Sequence, residues 1–161
     1  MEDLWSLKAS EISKLYLSNE ISLDEIINSV EERFNQVNPK INAIPESTFE
    51  YARKQAKLLD DNKKNNKPLG CLAGVPVTVK INTDQTGFAS TNGLRLNKSL
   101  IAHKNSTVVD NLEKAGALII GRTNTPAFSI RWFTNNSLHG HTFNPHNKNI
   151  TPGGSSGGAA S

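Results

Sequence analysis

This sequence is short of sulfur, aromatic rings and long apolar runs, and each shortage excludes something. A single cysteine, Cys71, rules out an intrachain disulfide and fits a reducing compartment, so the cytoplasm is the expected location. Nothing near Cys71 in sequence would lower its pKa, which argues against a thiol nucleophile. No stretch approaches the roughly 20 apolar residues of a membrane span. The start, Met1-Glu2-Asp3-Leu4-Trp5, is acidic and lacks the apolar core of a signal peptide, so no membrane partner is expected. The net charge is +3, yet the lysines are scattered. No basic stripe with interleaved aromatics marks a nucleic-acid surface, so direct binding of nucleic acid is not expected. There is no internal repeat. The glycine-serine stretch near the end has no Walker lysine after it, which argues against a phosphate cradle.

What is present suffices for one domain of 161 residues with a core. A first helix is predicted from about Ser6 to Asn19, with Trp5, Ala9, Ile12 and Tyr16 at helical spacing and Leu15 widening the stripe. Ser22-Leu23-Asp24-Glu25 is a capping box opening a second helix. Leu23, Ile26, Ile27, Val30, Phe34 and Val37 give that helix one apolar face, and Pro39 is expected to end it. Ile41-Asn42-Ala43-Ile44 reads as a short extended piece, and residues 1–44 as a helical arm. Ser47-Thr48-Phe49-Glu50 reads as a second capping box, with Phe49, Ala52, Ala56 and Leu59 facing inward. Residues 60–68 are polar and lack periodicity, which predicts a solvated loop and an internal boundary after 45–67.

Residues 68–161 read as a partial α/β core. Leu72 to Lys80 is β-branched and apolar, a buried strand that ends in a lysine. A long loop follows to Asn105, of the kind that is often functional. Asn105-Ser106 caps a helix with Val108, Val109, Leu112 and Ala115 inward, stopped by Gly116. Ala117-Leu118-Ile119-Ile120-Gly121 is a strand buried on both faces. Strand, helix, strand in this order predicts parallel pairing. From Arg122 onward the sequence predicts mostly loop.

Two features stand out chemically. A lysine that closes a buried strand is unusual, and desolvation lowers its pKa toward that of a usable base. Thr151-Pro152-Gly153-Gly154-Ser155-Ser156-Gly157-Gly158 frames two serines between glycine pairs, and a serine becomes a nucleophile only when a base takes its proton. Taken singly, Lys80 fits a snorkelling surface residue and the serine run a flexible loop. Sequence spacing alone does not join them. His139, His141 and His146 lack a familiar metal spacing and an intervening carboxylate, so they read as loop histidines. Trp132 and Phe133 read as packing residues.

Gly74-Val75-Pro76-Val77-Thr78-Val79-Lys80, Gly121-Arg122-Thr123-Asn124-Thr125-Pro126-Ala127-Phe128, Asn144-Pro145 and Thr151 to Ala160 together resemble the amidase signature family, in the family's order. Asn38-Pro39-Lys40-Ile41-Asn42-Ala43 resembles its N-terminal arm. The resemblance implies the N-terminal part of the amidase signature fold: an incomplete, mixed, largely parallel sheet flanked by helices, with a helical arm. It implies hydrolysis of a carboxylic amide C–N bond by a Ser–Ser–Lys triad that uses no metal and no cofactor. Lys80 would be the base and Ser155 the bridging serine, with a cis peptide bond. Ser156 would hold Lys80, and Gly153, Gly154 and Gly157 would frame the pair. Thr134 and Asn136 would line the substrate cleft.

In the family the nucleophilic serine lies in a second glycine-rich motif, a couple of dozen residues beyond the position of Ser155. This sequence ends at Ser161, so the isolated chain is expected to be inactive, with exposed strand edges and a loose Gly/Ser stretch. Ala127 and Ile81 stand where acidic residues are common. The partners expected are a small amide and a complementing C-terminal chain. The alternatives are half of a split amidase, a glutaminase subunit of the aminoacyl-tRNA amidotransferase, and a non-catalytic remnant. The pieces Arg131-Trp132-Phe133-Thr134 and Leu138-His139-Gly140 look more like general amidases than like that glutaminase.

Overall fold

The computed structural model describes residues 3–161. The chain forms two compact units that interleave in sequence. The first comprises residues up to Gln36, Thr48–Val77 and Asp110–Ile120; the second comprises Val37–Ser47, Thr78–Val109 and Gly121–Ser161.

Three helices build the first unit. Helix α1 covers Ala9–Leu17, α2 Leu23–Ile41 and α3 Phe49–Lys64. The box at the start of α2 forms as the sequence predicts: Glu25 N–H donates to Ser22 Oγ at 3.2 Å, and Ser22 N–H donates to Glu25 Oε2 at 2.8 Å. The Ser22 N–H and then its hydroxyl, both donating to Oε2, hold the exposed Glu25 carboxyl below its ordinary pKa. Leu23, Ile26 and Ile27 are buried, and Val30 and Phe34 pack against the same cluster. Ile12 and Tyr16 from α1, and Phe49, Ala52, Ala56 and Leu59 from α3, complete it. Phe34 meets Phe49 edge to face at 5.3 Å. Tyr16 is buried, and its hydroxyl donates to Asp60 at 3.0 Å.

Four local expectations change. Trp5 is not on α1; it lies in a 3-10 turn, Leu4–Ser6, with the Arg33 guanidinium 4.3 Å over its ring. Pro39 sits inside α2, because the single N–H it lacks falls in the last turn, where Asn42 N–H still reaches Asn38 O at 2.8 Å. Ile41 therefore ends a helix rather than starting an extended piece. Ser47 does not cap α3: it belongs to β1, Glu46–Ser47, and the buried Thr48 donates its hydroxyl to Ile119 O at 2.8 Å. Residues Asp60 to Lys64 continue α3 instead of forming a loop. Lys63 lies over the Tyr16 ring and donates to Tyr16 O, so tertiary contacts hold a turn that polarity alone would leave to solvent.

The strands carry the chain toward the chemistry. Strand β2 is Pro76–Lys80 and β3 is Leu118–Thr123, with α4, Thr107–Lys114, between them in sequence. The sheet order is β1-β3-β2. β1 pairs antiparallel with β3, Glu46 opposite Arg122. Leu118 N–H donates to Val75 O and Ile81 N–H to Thr123 O, the parallel sense that the strand–helix–strand order predicts. All six residues of β3 are buried, whereas β2 lies at the edge and its Thr78 is exposed. Within α4 only Val109 is buried, while Val108 is 60 % exposed, contrary to the predicted inner face. After β3 come a two-residue hairpin, β4 (Asn135–Asn136) with β5 (Gly140–His141), and a terminal turn of helix, α5 (Gly157–Ala160).

Ile27 is fully buried in the first unit's cluster. Ile27→Ala is expected to lower the unfolding free energy by about 2–5 kcal/mol, read from urea denaturation. A loss under about half a kcal/mol would show that α2 does not pack as described.

Candidate active site

Within the second unit the structure brings Lys80 and the two framed serines together. Lys80 Nζ donates to Ser155 Oγ at 2.9 Å and to Ser156 Oγ at 3.1 Å. Lys80 is the last residue of β2, half-buried, and burial holds its pKa below the ordinary 10.5. The lysine is therefore aimed into the protein rather than snorkelling outward. Ser155 follows a cis peptide bond from Gly154. Ser156 stands at the N-terminal cap position of α5, where its carbonyl accepts from Ala159 N–H at 3.0 Å.

The glycine frame has a packing explanation. Gly153 has φ +91°, a left-handed conformation that side chains rarely adopt. At Gly154 a Cβ would stand 2.6 Å from Arg131 O and Phe133 N. At Gly157 it would stand 2.9 Å from Thr134 Cβ. Thr134 is fully buried, and its hydroxyl clamps both ends of the loop. It donates to Gly153 O at 3.0 Å and accepts from Gly157 N–H at 3.0 Å. The stretch Thr151–Ser161 is thus held rather than loose, because backbone and buried side chains of this same unit grip it. Asn136 is also buried, donating to Asn124 Oδ1 at 2.9 Å and to Thr125 O at 2.7 Å. Both residues assigned by resemblance to the substrate cleft spend their polar atoms on holding the site's loops.

Other contributors were not singled out in the sequence. Thr125 Oγ1 donates to Ser155 O at 3.1 Å and lies 2.8 Å from Ser129 Oγ. Ser129 in turn receives Asn82 Nδ2 at 3.0 Å and donates to Asn92 Oδ1 at 2.7 Å. Phe128 and Ser129 have φ of 57° and 58°, uncommon for residues with side chains and characteristic of constrained, often functional loops. Thr125 and Phe128 stood in the Gly121–Phe128 motif without an assigned role, and Ser129, Asn82 and Asn92 carried no signal. Trp132 does not serve as a packing residue, and Phe133 is covered only in part. Trp132 is 88 % exposed and Phe133 42 %, with Ile130 and Phe128 also exposed beside them in sequence.

A cleft of about 220 Å³ opens on Ser155 and is lined by Ser129, Ile130, Arg131, Trp132 and Gly154. A larger hollow of about 670 Å³, in the first unit, is lined by Tyr16, Glu20, Glu25, Asp60, Lys63 and Lys64 among others. It mixes charges of both signs and lies apart in sequence from Lys80 and the framed serines. Among the described residues no group of three or more His, Cys, Asp or Glu side chains could hold a metal ion. No helix among them is long and apolar enough to cross a membrane.

The comparisons with known proteins bear on the family and the fold. The profile of the family described as Amidase matches residues 25–161. The chain belongs to the Amidase family. Amidase relatives align over almost all of it. It is 44 % identical over 98 % of its length to an indoleacetamide hydrolase of Bradyrhizobium diazoefficiens, covering 30 % of that protein. It is 40 % identical over 98 % of its length to a glutamyl-tRNA(Gln) amidotransferase subunit of Fusobacterium nucleatum, covering 32 % of it. The structure superposes on a bacterial aryl acylamidase of the amidase signature family with a TM-score of 0.90. That match has 34 % identity and covers 96 % of this chain and 32 % of the other. The fold is therefore the N-terminal part of the amidase signature fold, and the chain spans about a third of the length of the relatives it matches.

Two tests follow from this site. Gly158 is buried, and a Cβ there would lie 2.6 Å from Ala43 O and still closer to Asn124 N. Gly158→Ala is expected to destabilise the fold by about 1–3 kcal/mol in a denaturant melt. His139 lies 2.9 Å from Thr91 Oγ1, and burial first, then the charge of Arg122, lowers its pKa below 6.5. The unfolded chain then binds the extra proton below pH 6.5, so wild-type stability falls as pH drops through that value. His139→Gln is expected to flatten this acid-side fall in melts between about pH 7 and pH 5. Equal slopes in both proteins would refute the assignment.

Proposed function

We propose that this chain supplies the base and the bridging serine of an amide hydrolase. The observation that carries the reading is the 2.9 Å contact between Lys80 Nζ and Ser155 Oγ, with Ser156 as the second partner of the same amine. In the free-base form Lys80 accepts the Ser155 proton. Ser155 then takes a proton from the attacking hydroxyl, whose oxygen bonds to the amide carbonyl carbon. The proton returns by the same route to the departing amine as the C–N bond breaks, and water releases the acyl group. Ser156 steadies the amine, and Gly153, Gly154 and Gly157 let the loop approach its neighbours closely. Thr134 and Asn136 support the cleft from beneath.

The attacking hydroxyl comes, in this reading, from the second glycine-rich motif of the family, which lies outside these residues. In this reading residues 1–161 need that motif, on the same chain or on a complementing C-terminal chain, for turnover. The substrate is a small amide with an apolar portion, since the exposed Ile130 and Trp132 line the cleft beside Ser155. No metal or cofactor takes part. The lone thiol, Cys71, is exposed and unpaired, which supports a reducing, cytoplasmic setting. A second reading, the glutaminase component of an aminoacyl-tRNA amidotransferase, is favoured by the 40 % identity to such a protein.

The test is to assay the chain with and without the C-terminal two-thirds of a related amidase, using an aryl-acetamide and glutamine as substrates. Turnover is expected only in the complemented form, with the aryl-acetamide preferred. Lys80→Ala should lower the rate by about 10²–10⁴, the range for loss of a positioned base. Hydrolysis by the isolated chain that Lys80→Ala abolishes would overturn the need for a complement. Complemented turnover that Lys80→Ala leaves unchanged would overturn the role of Lys80.

A further inference from the structure

Arg122 is fully buried in the second unit, which is rare for this side chain and costly unless its charge is engaged. All four terminal N–H bonds are used. Nη1 donates to Glu46 Oε2 at 2.9 Å and to Ala89 O at 2.7 Å. Nη2 donates to Thr83 O at 2.9 Å and to Ile81 O at 3.3 Å. Three of these four acceptors are backbone carbonyls in the loop that leaves Lys80. The next residue of the strand, Thr123, acts on the same segment. Ile81 N–H donates to Thr123 O at 3.0 Å, and Thr83 N–H closes a turn onto Lys80 O at 2.8 Å. Three residues along, Thr125 donates to Ser155 O. One short segment, 122–125, thus grips the backbone on both sides of the contact between Lys80 and Ser155.

We infer that Arg122 is a positioning residue for Lys80: its guanidinium fixes the Ile81–Ala89 loop and thereby aims the lysine amine at Ser155. The inference rests on the proposed role of Lys80. The fork matters more than the charge. A planar guanidinium reaches four acceptors in fixed directions, whereas an ammonium has three donors on one point. The charged and titratable groups around it are Glu46, Asp84 and His139, and Glu46 is partly exposed. Gln85, buried in the same loop, leaves its side-chain amide without a hydrogen-bond partner, while Asn82 reaches Ser129 and Asp84 accepts from the Ser90 hydroxyl.

The test follows the Lys80 side-chain NMR signal, assigned by its loss in Lys80→Met, in folded wild type, Arg122→Lys and Glu46→Gln. Circular dichroism checks the fold of each. In wild type the signal stands apart from those of exposed lysines. In Arg122→Lys it moves toward them, and its titration midpoint rises toward 10.5. Should Arg122→Lys not fold, Glu46→Gln decides, since it loosens the guanidinium without removing it. A smaller move in the same direction supports the inference, and an unmoved signal overturns it. A distinct wild-type signal that stays unmoved in folded Arg122→Lys overturns the positioning role alone. A wild-type signal already among the exposed lysines overturns both this role and the proposed function of Lys80.

Discussion

Two segments 75 residues apart must meet to within 2.9 Å, a lysine at the end of a strand and a serine in a glycine frame. Several features of the second unit bear on that distance. β2 delivers Lys80 at its end. The loop that carries Ser155 is pressed onto the 131–133 backbone closely enough that only glycine fits at 154. Thr134 fastens the loop at two points, and Thr125 at a third. The amine is half-buried, and desolvation favours its neutral form, the state a base requires.

The cost of this arrangement appears in the buried polar groups. Arg122, Asn124, Thr125, Thr134 and Thr142 are all withdrawn from solvent. Such groups are tolerated when they find partners, and here most do, the exceptions being Arg122 Nε and the Gln85 amide. Asn124 illustrates the point: its amide donates to Gly140 O and Thr142 Oγ1, while its oxygen receives Asn136 Nδ2. The helices of the first unit follow the opposite logic, with an apolar cluster and salt links at its rim, such as Arg53 with Glu31 at 2.5 Å.

Much of the helical part was legible because its signals are local. The Ser22–Glu25 box and the apolar face of α2 are set by spacing within one helix. Where reading failed, a distant partner decided. Ser47 joined a strand opposite Gly121, and the polar end of α3 stayed helical against Tyr16. In the site, Lys80 and Ser155 were visible as oddities of strand end and glycine frame, but only the resemblance to a family joined them. Arg122 read as one letter of a motif. Its role depends on carbonyls at positions 81, 83 and 89, which carry no side-chain signature. Trp132 was misjudged because aromatic residues usually bury their area, and its exposure at the cleft is a tertiary fact.

The central claim is that Lys80 and Ser155 form one proton-transfer pair. The most direct measurement is the titration of the Lys80 amine by NMR in the wild type and in Ser155→Ala. The account predicts a wild-type midpoint below 10.5 and a changed midpoint and chemical shift once the serine hydroxyl is gone. A Lys80 that titrates at 10.5 in both proteins, with the same shift, would contradict it.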